Sequence, residues 1–359
     1  MSAKLFGGDK TKAYDAAKKA QFLAFSPAFF QAVLILRDRG VLAFLNSSDC
    51  PRSEKEIAEH CKLNDYSARV LLEAGEQAGV LIYDEEKYYI SKTGFILFAD
   101  ETARRNMNFI NDVCWQGLFF LDKSIEQSKP AGLKVFGDWD TIYSGLSELP
   151  EKAKRSWFEF DHHYSDAAFD AALALIFANG RKIPSRILDV GGNTGKFALK
   201  CASFSSETKI TILDHEGQLS IAEENAKNAG FGERIDGFAL DLLDHSKPFP
   251  QNFDAVWMSQ FLDCFSPEDI VELLKRARAA LNEDGDVYIM EPFINTQKHP
   301  QARLALVGTS LYFTAMANGK SRMYHSEEML YYAKQAGLKA VEQFDGLGEF
   351  QTVLRLKAE

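Results

Sequence analysis

Hydrophobic and polar positions fall into three successive patterns along the chain. From about Ala16 to Ala99 the apolar positions recur at helical spacing. Phe22, Phe25, Phe29, Phe30, Val33, Leu34 and Leu36 predict a strongly apolar helix, interrupted at Pro27. Ser53-Glu54-Lys55-Glu56 opens a short helix with capping-box spacing that runs into Ile57 and Ala58. A turn at Leu63-Asn64-Asp65 leads to a second helix, from about Tyr66 to Ala78, carrying Val70, Leu71 and Leu72. Val80-Leu81-Ile82-Tyr83, the polar turn Asp84-Glu85-Glu86-Lys87 and Tyr88-Tyr89-Ile90-Ser91 predict a hairpin.

Residues of about 101 to 180 form the second pattern, connecting helices rich in aromatics: Phe109, Trp115, Phe119, Phe120, Trp139, Trp157, Phe158 and Phe160. From about 181 the pattern changes to buried strands alternating with helices. Arg186-Ile187-Leu188-Asp189-Val190, Lys209-Ile210-Thr211-Ile212-Leu213, Phe253-Asp254-Ala255-Val256-Trp257-Met258 and Asp286-Val287-Tyr288-Ile289-Met290 read as strands. Ser266-Pro267-Glu268 caps a helix running to about Leu281, with proline at its first position, and Ser326 to Ala336 forms another. Closing strands are expected near Lys339 to Phe344 and Phe350 to Leu356. The expected fold is α/β: a doubly wound, mostly parallel sheet with one reversed strand, preceded by a mostly helical winged-helix domain. The expected divisions are 1–100, 101–180 and 181–359.

A winged helix often binds DNA, so its second helix must be judged by charge. Between Asn64 and Gly79 it offers one cation, Arg69, against Asp65, Glu73 and Glu76, and the whole chain has a net charge of −10. Phosphate backbones would be repelled, so no nucleic-acid partner is expected. No run of 18 or more apolar residues is present, so no membrane span is expected. Met1-Ser2-Ala3-Lys4-Leu5-Phe6 lacks the apolar core of a signal peptide. Five scattered cysteines without metal-type spacing point to a reducing, cytoplasmic location and to no bound metal.

The chemistry is concentrated after the first strand of the third pattern. Asp189-Val190-Gly191-Gly192-Asn193-Thr194-Gly195 places an acid at a strand tip, then a glycine-rich turn, then a helix. A nucleotide pyrophosphate prefers bare backbone N–H groups at a helix start, and Asp189 would repel it. The dinucleotide and phosphate-loop glycine patterns are both absent. S-adenosylmethionine fits better, carrying an ammonium and a sulfonium but no phosphate. Asp214 ends the next strand 19 positions after Gly195, near the offset at which an acid grips ribose hydroxyls. Asp241 follows Gly237-Phe238-Ala239-Leu240, where an adenine ring could lie over Leu242. His215 and Ser259 complete the candidate cofactor residues beside Asp189, Gly191, Gly192, Gly195, Asp214, Asp241 and Leu242.

With these residues the chain, over roughly 15 to 357, resembles the dimeric class I O-methyltransferases. These join a winged-helix dimerisation domain to a Rossmann-like catalytic domain and include plant caffeate, acetylserotonin and bacterial polyketide-tailoring enzymes. The family usually has glycine where this chain has Asn193, and asparagine is the residue other than glycine that best tolerates positive φ. The resemblance implies S-adenosylmethionine as cofactor, S-adenosylhomocysteine as product, an aromatic or polyketide-like acceptor hydroxyl, and a homodimer.

It also marks a departure. Many members carry a catalytic histidine in a stretch equivalent to Gln260-Phe261-Leu262-Asp263-Cys264-Phe265-Ser266, where this chain has Asp263. The supporting acid from the next strand is matched by Glu291, and a second one is replaced by Ser321. An ordinary carboxylate is a weak base toward a phenol, so Asp263 needs burial or the nearby charge of Glu291 to raise its pKa. His163, in Asp161-His162-His163-Tyr164, is the alternative base, and His325 a weaker one beside a helix start. The same departure admits a relative that binds the cofactor for another reaction, such as hydroxylation or decarboxylation.

Overall fold

A computed structural model describes residues 7–47, 50–178 and 180–359, and the side chains of all of these but 162–165. The chain divides into two compact units, Met1–Met107 and Asn108–Glu359.

In the first unit the helix Ala13–Asp38 runs unbroken through Pro27, against expectation. Proline removes the N–H that would bond the Leu23 carbonyl, but the Ser26 hydroxyl donates to that carbonyl at 2.9 Å. The lost bond is replaced locally, so the helix continues. This 26-residue helix holds an 18-residue window of mean hydropathy 1.4, long and apolar enough to cross a membrane by length and composition. Gln21, Ser26, Pro27 and Gln31 interrupt the apolar positions, so no unbroken apolar run marks this property in the sequence. Its Phe22, Leu23 and Phe25 are exposed in the single chain.

The helix Glu54–His60 starts with the expected capping box: the Ser53 hydroxyl accepts from the Glu56 N–H, and Glu56 accepts from the Ser53 N–H at 2.8 Å. Asn64 caps Asp65–Gln77 by accepting from the Ser67 N–H at 2.8 Å. The hairpin is β1 (Leu81–Asp84) with β2 (Lys87–Ile90). Leu36, Val41, Leu42, Ile57, Leu72 and Leu81 form this unit's core. Arg69, the one cation of the second helix, is paired with Glu54 at 3.2 Å.

The second unit is built on a seven-stranded sheet. Its strands are β3 (Arg186–Val190), β4 (Lys209–Asp214), β5 (Ile235–Ala239), β6 (Phe253–Ser259), β7 (Leu281–Glu291), β8 (Leu338–Leu347) and β9 (Gln351–Ala358). They lie in the order β5-β4-β3-β6-β7-β9-β8, with β9 the reversed strand, antiparallel to both neighbours. Helices cover both faces, so the strands read as continuous apolar runs rather than alternating ones. Leu188, Val190, Val256 and Ile289 pack on one face; Ile187, Ile212, Trp257 and Met290 pack on the other. The aromatic segment after Asn108 makes a third core around Phe109, Trp157, Tyr312 and Met316. Trp157 donates from Nε1 to the Tyr312 hydroxyl at 2.7 Å, and Phe160 stacks on Phe109 with ring centroids 3.9 Å apart.

Candidate active site

The strand order reverses between β3 and β6, because β4 and β5 extend the sheet one way and β7, β9 and β8 the other. Ligands of open α/β sheets bind in the crevice at such a switch point, outside the carboxyl ends of the strands. Asp189, Asp214, Ser259 and Glu291 all stand at or beside those ends.

The turn after β3 is shaped by three residues at positive φ: Gly191 at 71°, Asn193 at 50° and Gly195 at 81°. Asn193 therefore adopts the left-handed conformation expected of it. The Gly191 N–H donates to the Leu213 carbonyl at 2.8 Å, tying the turn to β4. Gly191 is also forced by a neighbour, since a Cβ there would lie 2.3 Å from the Phe261 ring. Gly195 begins the helix Lys196–Phe204.

Asp214 is engaged at both oxygens. One accepts from the Asn193 N–H at 2.9 Å and the other from the His215 N–H at 2.7 Å. Burial raises its pKa, while those two donors pull it back. Asp189 is handled differently. It is 2% exposed, beneath the turn rather than open at its mouth as the sequence had suggested. Its Oδ2 has no hydrogen-bond partner, and a Cβ on Gly192 would stand 2.7 Å from it. Burial, and then the charge of Asp214, push its pKa up to about 8. The Asn193 Oδ1 and Ser259 Oγ are further buried polar atoms without partners around the same crevice.

At the far side, Asp241 is exposed and accepts from the Leu243 N–H at 3.0 Å. Leu242 is 5% exposed and belongs to the sheet core, whereas Phe238 and Leu243 present the apolar surface next to Asp241. His215 caps the helix Glu216–Asn228 through its backbone and is itself exposed.

The segment after β6 turns sharply at Gln260, a non-glycine residue at φ 43°. That turn aims the N–H groups of Phe261 and Leu262 at Glu291 Oε1, at 2.9 and 2.8 Å. The other oxygen of Glu291 is buried without a partner. Asp263 follows, 5% exposed, with the Cys264 thiol donating to it at 3.4 Å. Burial raises the pKa of both acids, and the charge of Asp263 adds to the rise at Glu291. The two expected acids are thus brought together, lining one small cavity with Phe293, Met323 and Tyr324.

Ser321 is buried there too, held by Asn318, whose amide donates to the Ser321 hydroxyl at 2.8 Å and the Cys264 carbonyl at 2.6 Å. A serine in the place of the second acid leaves a neutral turn support. His163 lies outside the described side chains. Its neighbour Asp161 is described, and burial followed by the charge of Asp263 raises its pKa to about 7. Tyr143 places a buried hydroxyl against the Cys264 thiol and within electrostatic reach of Asp263. Sequence reasoning missed both Asp161 and Tyr143 as site residues. The adjacency of Asp161 to the histidine pair was a signal, while Tyr143 offered none. His325 begins the helix Ser326–Gln335, and its N–H donates to Glu328 at 2.9 Å. No cluster of metal-ligating side chains is found among the described residues.

Residues 170–339 match the family model of the O-methyltransferase domain, and residues 17–88 that of a Dimerisation2-like domain. The L-tyrosine C(3)-methyltransferase of Streptomyces lavendulae is 24% identical over 268 residues, covering 74% of this chain and 71% of that protein. Some other curated relatives are matched over about half of their own length, among them the phenazine-1-carboxylate N-methyltransferase of Pseudomonas aeruginosa, 27% identical over 46% of each chain. The crystal structure of an S-adenosylmethionine-dependent methyltransferase in its apo form superposes with a TM-score of 0.72 at 23% identity, over 94% of this chain and 98% of that one. These likenesses at low identity extend the shared fold over nearly the whole chain.

Proposed function

Because this chain belongs to the S-adenosylmethionine-dependent O-methyltransferases, we propose that it transfers a methyl group to a hydroxyl of an aromatic or polyketide-like small molecule. The cofactor supplies an electrophilic methyl on a sulfonium, and S-adenosylhomocysteine is left as product. One observation carries the assignment of the crevice. Among the described residues no lysine or arginine charge acts on its buried acids Asp189 and Asp214, which fits a cationic ligand without phosphate. In this reading Gly191, Gly192 and Gly195 hold the methionine end with Asp189. Asp214 and His215 form the ribose side, Asp241 and the surface beside Leu242 receive adenine, and Ser259 lies at the β6 side.

The acceptor would stand between this crevice and the aromatic segment, against Trp157 and Phe160. Phe119, at 76% exposed, is poorly placed to line an enclosed pocket. Asp263 would take the proton that the acceptor hydroxyl loses on methylation. Burial makes it a far better base than an ordinary carboxylate. Glu291 positions it by fixing the Gln260–Asp263 turn, and His163 stays the alternative base. Relatives named for C- and N-methylation show that the acceptor atom varies among similar proteins. The exposed apolar face of Ala13–Asp38 and the dimerisation-domain match support a homodimer. The free thiols of Cys61, Cys114, Cys201 and Cys264 support a cytoplasmic location.

The experiment is calorimetry with S-adenosylhomocysteine, followed by turnover of S-adenosylmethionine with a panel of phenols. Binding in the micromolar range and release of S-adenosylhomocysteine with at least one phenol are expected. Absence of binding at millimolar ligand removes the assignment.

A further inference from the structure

Asp263 is hemmed in by groups that do nothing to support its charge. Glu291, from β7, and Asp161, from the helix Glu151–Ser165, both feel that charge and are acids themselves. Tyr143 and Tyr324 face it as neutral phenols. Among the described residues no lysine or arginine charge acts on Asp263, and one side chain donates to it: the Cys264 thiol, with Sγ 3.4 Å from Oδ1. The thiol is fixed by its own backbone. The Cys264 carbonyl accepts from the Asn318 amide at 2.6 Å, and its N–H donates to the Phe261 carbonyl at 3.1 Å. The next carbonyl, of Phe265, accepts from the Tyr324 hydroxyl at 2.7 Å. Beyond the sulfur, the short helix Ile142–Gly145 sets the buried Tyr143 hydroxyl against it. The phenol therefore donates to sulfur, and sulfur to the carboxylate. A cysteine that only filled space would need neither partner.

We propose that Cys264 is a positioning residue of the methyl transfer: its thiol, backed by the Tyr143 hydroxyl, orients the Asp263 carboxylate and tempers its basicity. The proposal rests on the reading of Asp263 as the base and deepens it. A buried acid with no donor keeps its proton, and one gripped by strong donors, as Asp214 is, loses its basicity. A thiol is a weak donor and leaves Asp263 between those limits. Donation from Tyr143 into the sulfur polarises the S–H bond and strengthens its hold on the carboxylate. The thiol keeps its proton throughout. The one proton that moves passes from the acceptor hydroxyl to Asp263. Burial raises the pKa of Asp263 while the thiol pulls it back, in agreement with this balance.

The test begins with infrared spectroscopy of the whole protein without ligand, because the S–H stretch lies in a window free of other protein bands. The Cys264 band is identified as the one lost in Cys264→Ser, or in Cys264→Ala should the serine variant not fold. It is expected to move to lower frequency as pH rises through the ionisation of Asp263, to stay fixed in Asp263→Asn, and to move less in Tyr143→Phe. Turnover with any phenol that the protein methylates then gives the acid limb of kcat against pH. Cys264→Ala loses the donor and should move that limb up by about half a pH unit. Cys264→Ser offers a stronger donor and should move it down by a similar amount. A residue that merely supported the turn would lower kcat at every pH and move the limb in neither direction. A Cys264 band indifferent to pH, or a limb that stays within about 0.2 pH units in both variants, overturns the positioning role and leaves Asp263 as the base. If no phenol is methylated, the infrared titration decides alone. A wild-type limb retained in Asp263→Asn removes the base assignment and the role of Cys264 with it.

Discussion

The crevice at β3 and β4 and the turn after β6 both put buried acids at strand ends, but the backbone treats them oppositely. On the cofactor side Asp214 is gripped at both oxygens, by Asn193 and His215, and behaves as part of the scaffold. On the acceptor side Glu291 takes the N–H groups of Phe261 and Leu262 on one oxygen and leaves the other with nothing. Asp263 and Asp161 sit in the same low-dielectric surroundings with raised pKa values. Donors fix charge and shape; their absence keeps a proton mobile near neutral pH. The contrast lies between Asp214 and Glu291 themselves, since Asp189 on the first side is also buried with an unpartnered oxygen and a raised pKa; in the reading proposed above, the first region holds the ligand and the second moves a proton.

That comparison breaks most visibly at Asp263. Replacing it with Asn keeps the shape and removes the base, and kcat is expected to fall by about 10²–10⁴ if it takes the acceptor proton. The affinity for S-adenosylhomocysteine should stay within about threefold. In the wild type the active form is the ionised carboxylate, whose pKa is raised by burial. Turnover should therefore climb with pH through the weakly acid range and level off above it, and Asp263→Asn should lack that limb. A variant that keeps a tenth or more of kcat would mean that the acceptor ionises unaided or that His163 serves.

Glu291→Ala tests the structural half of the same side. It strands the N–H groups of Phe261 and Leu262 in a buried turn that Gln260 already strains at φ 43°. With about 1–3 kcal/mol for each unsatisfied buried group, a loss of roughly 3 kcal/mol in stability is expected by denaturant unfolding. Glu291→Gln, which keeps one acceptor oxygen, should lose about half as much. Equal stability of the two variants would show that the turn holds itself.

On the cofactor side, Asp214→Ala frees the donors of Asn193 and His215 and loosens the turn they define. Hydrogen bonds to a charged acceptor contribute about 1.5–3 kcal/mol, so the dissociation constant for S-adenosylhomocysteine should rise by roughly 30-fold. An unchanged constant would place the ribose elsewhere.

The two regions also differ in how plainly the chain announces them. The strands around Asp189, Asp214 and Trp257 are apolar on both faces, a consequence of helices on either side, and their order follows from the alternation with helices. The acids at their ends could be placed from that alternation and from the spacing to Gly195. The acceptor side could not be assembled in the same way. Asp161 comes from the helix Glu151–Ser165 and Tyr143 from the four-residue turn of helix Ile142–Gly145; their packing is decided by distant partners such as Tyr312 and Cys264, and no periodicity encodes those contacts. Two local details follow from side chains rather than from the pattern. Pro27 predicts a break, yet the helix continues because the Ser26 hydroxyl substitutes for the missing N–H, a side-chain effect that periodicity does not carry. Leu242, expected beneath adenine, packs into the core and leaves Leu243 exposed beside it.

The smallest expected effect is also the finest probe of the cofactor turn. Asn193 stands at φ 50° with its Oδ1 buried and unpartnered, where the family resemblance leads one to expect glycine. Glycine would relieve the left-handed strain and remove the unsatisfied oxygen, but would give the unfolded chain more freedom to lose. These terms nearly offset, so Asn193→Gly should change stability by less than about 1 kcal/mol. The backbone N–H that reaches Asp214 is kept, so S-adenosylhomocysteine affinity should stay within about twofold. The contrast is Gly191→Ala, where a Cβ would meet the Phe261 ring at 2.3 Å and displace the segment leading to Asp263. If Asn193→Gly weakened binding tenfold, the side chain rather than the backbone of Asn193 would be the ligand's partner. The turn would then recognise its cofactor with a group that the glycine-bearing relatives do without.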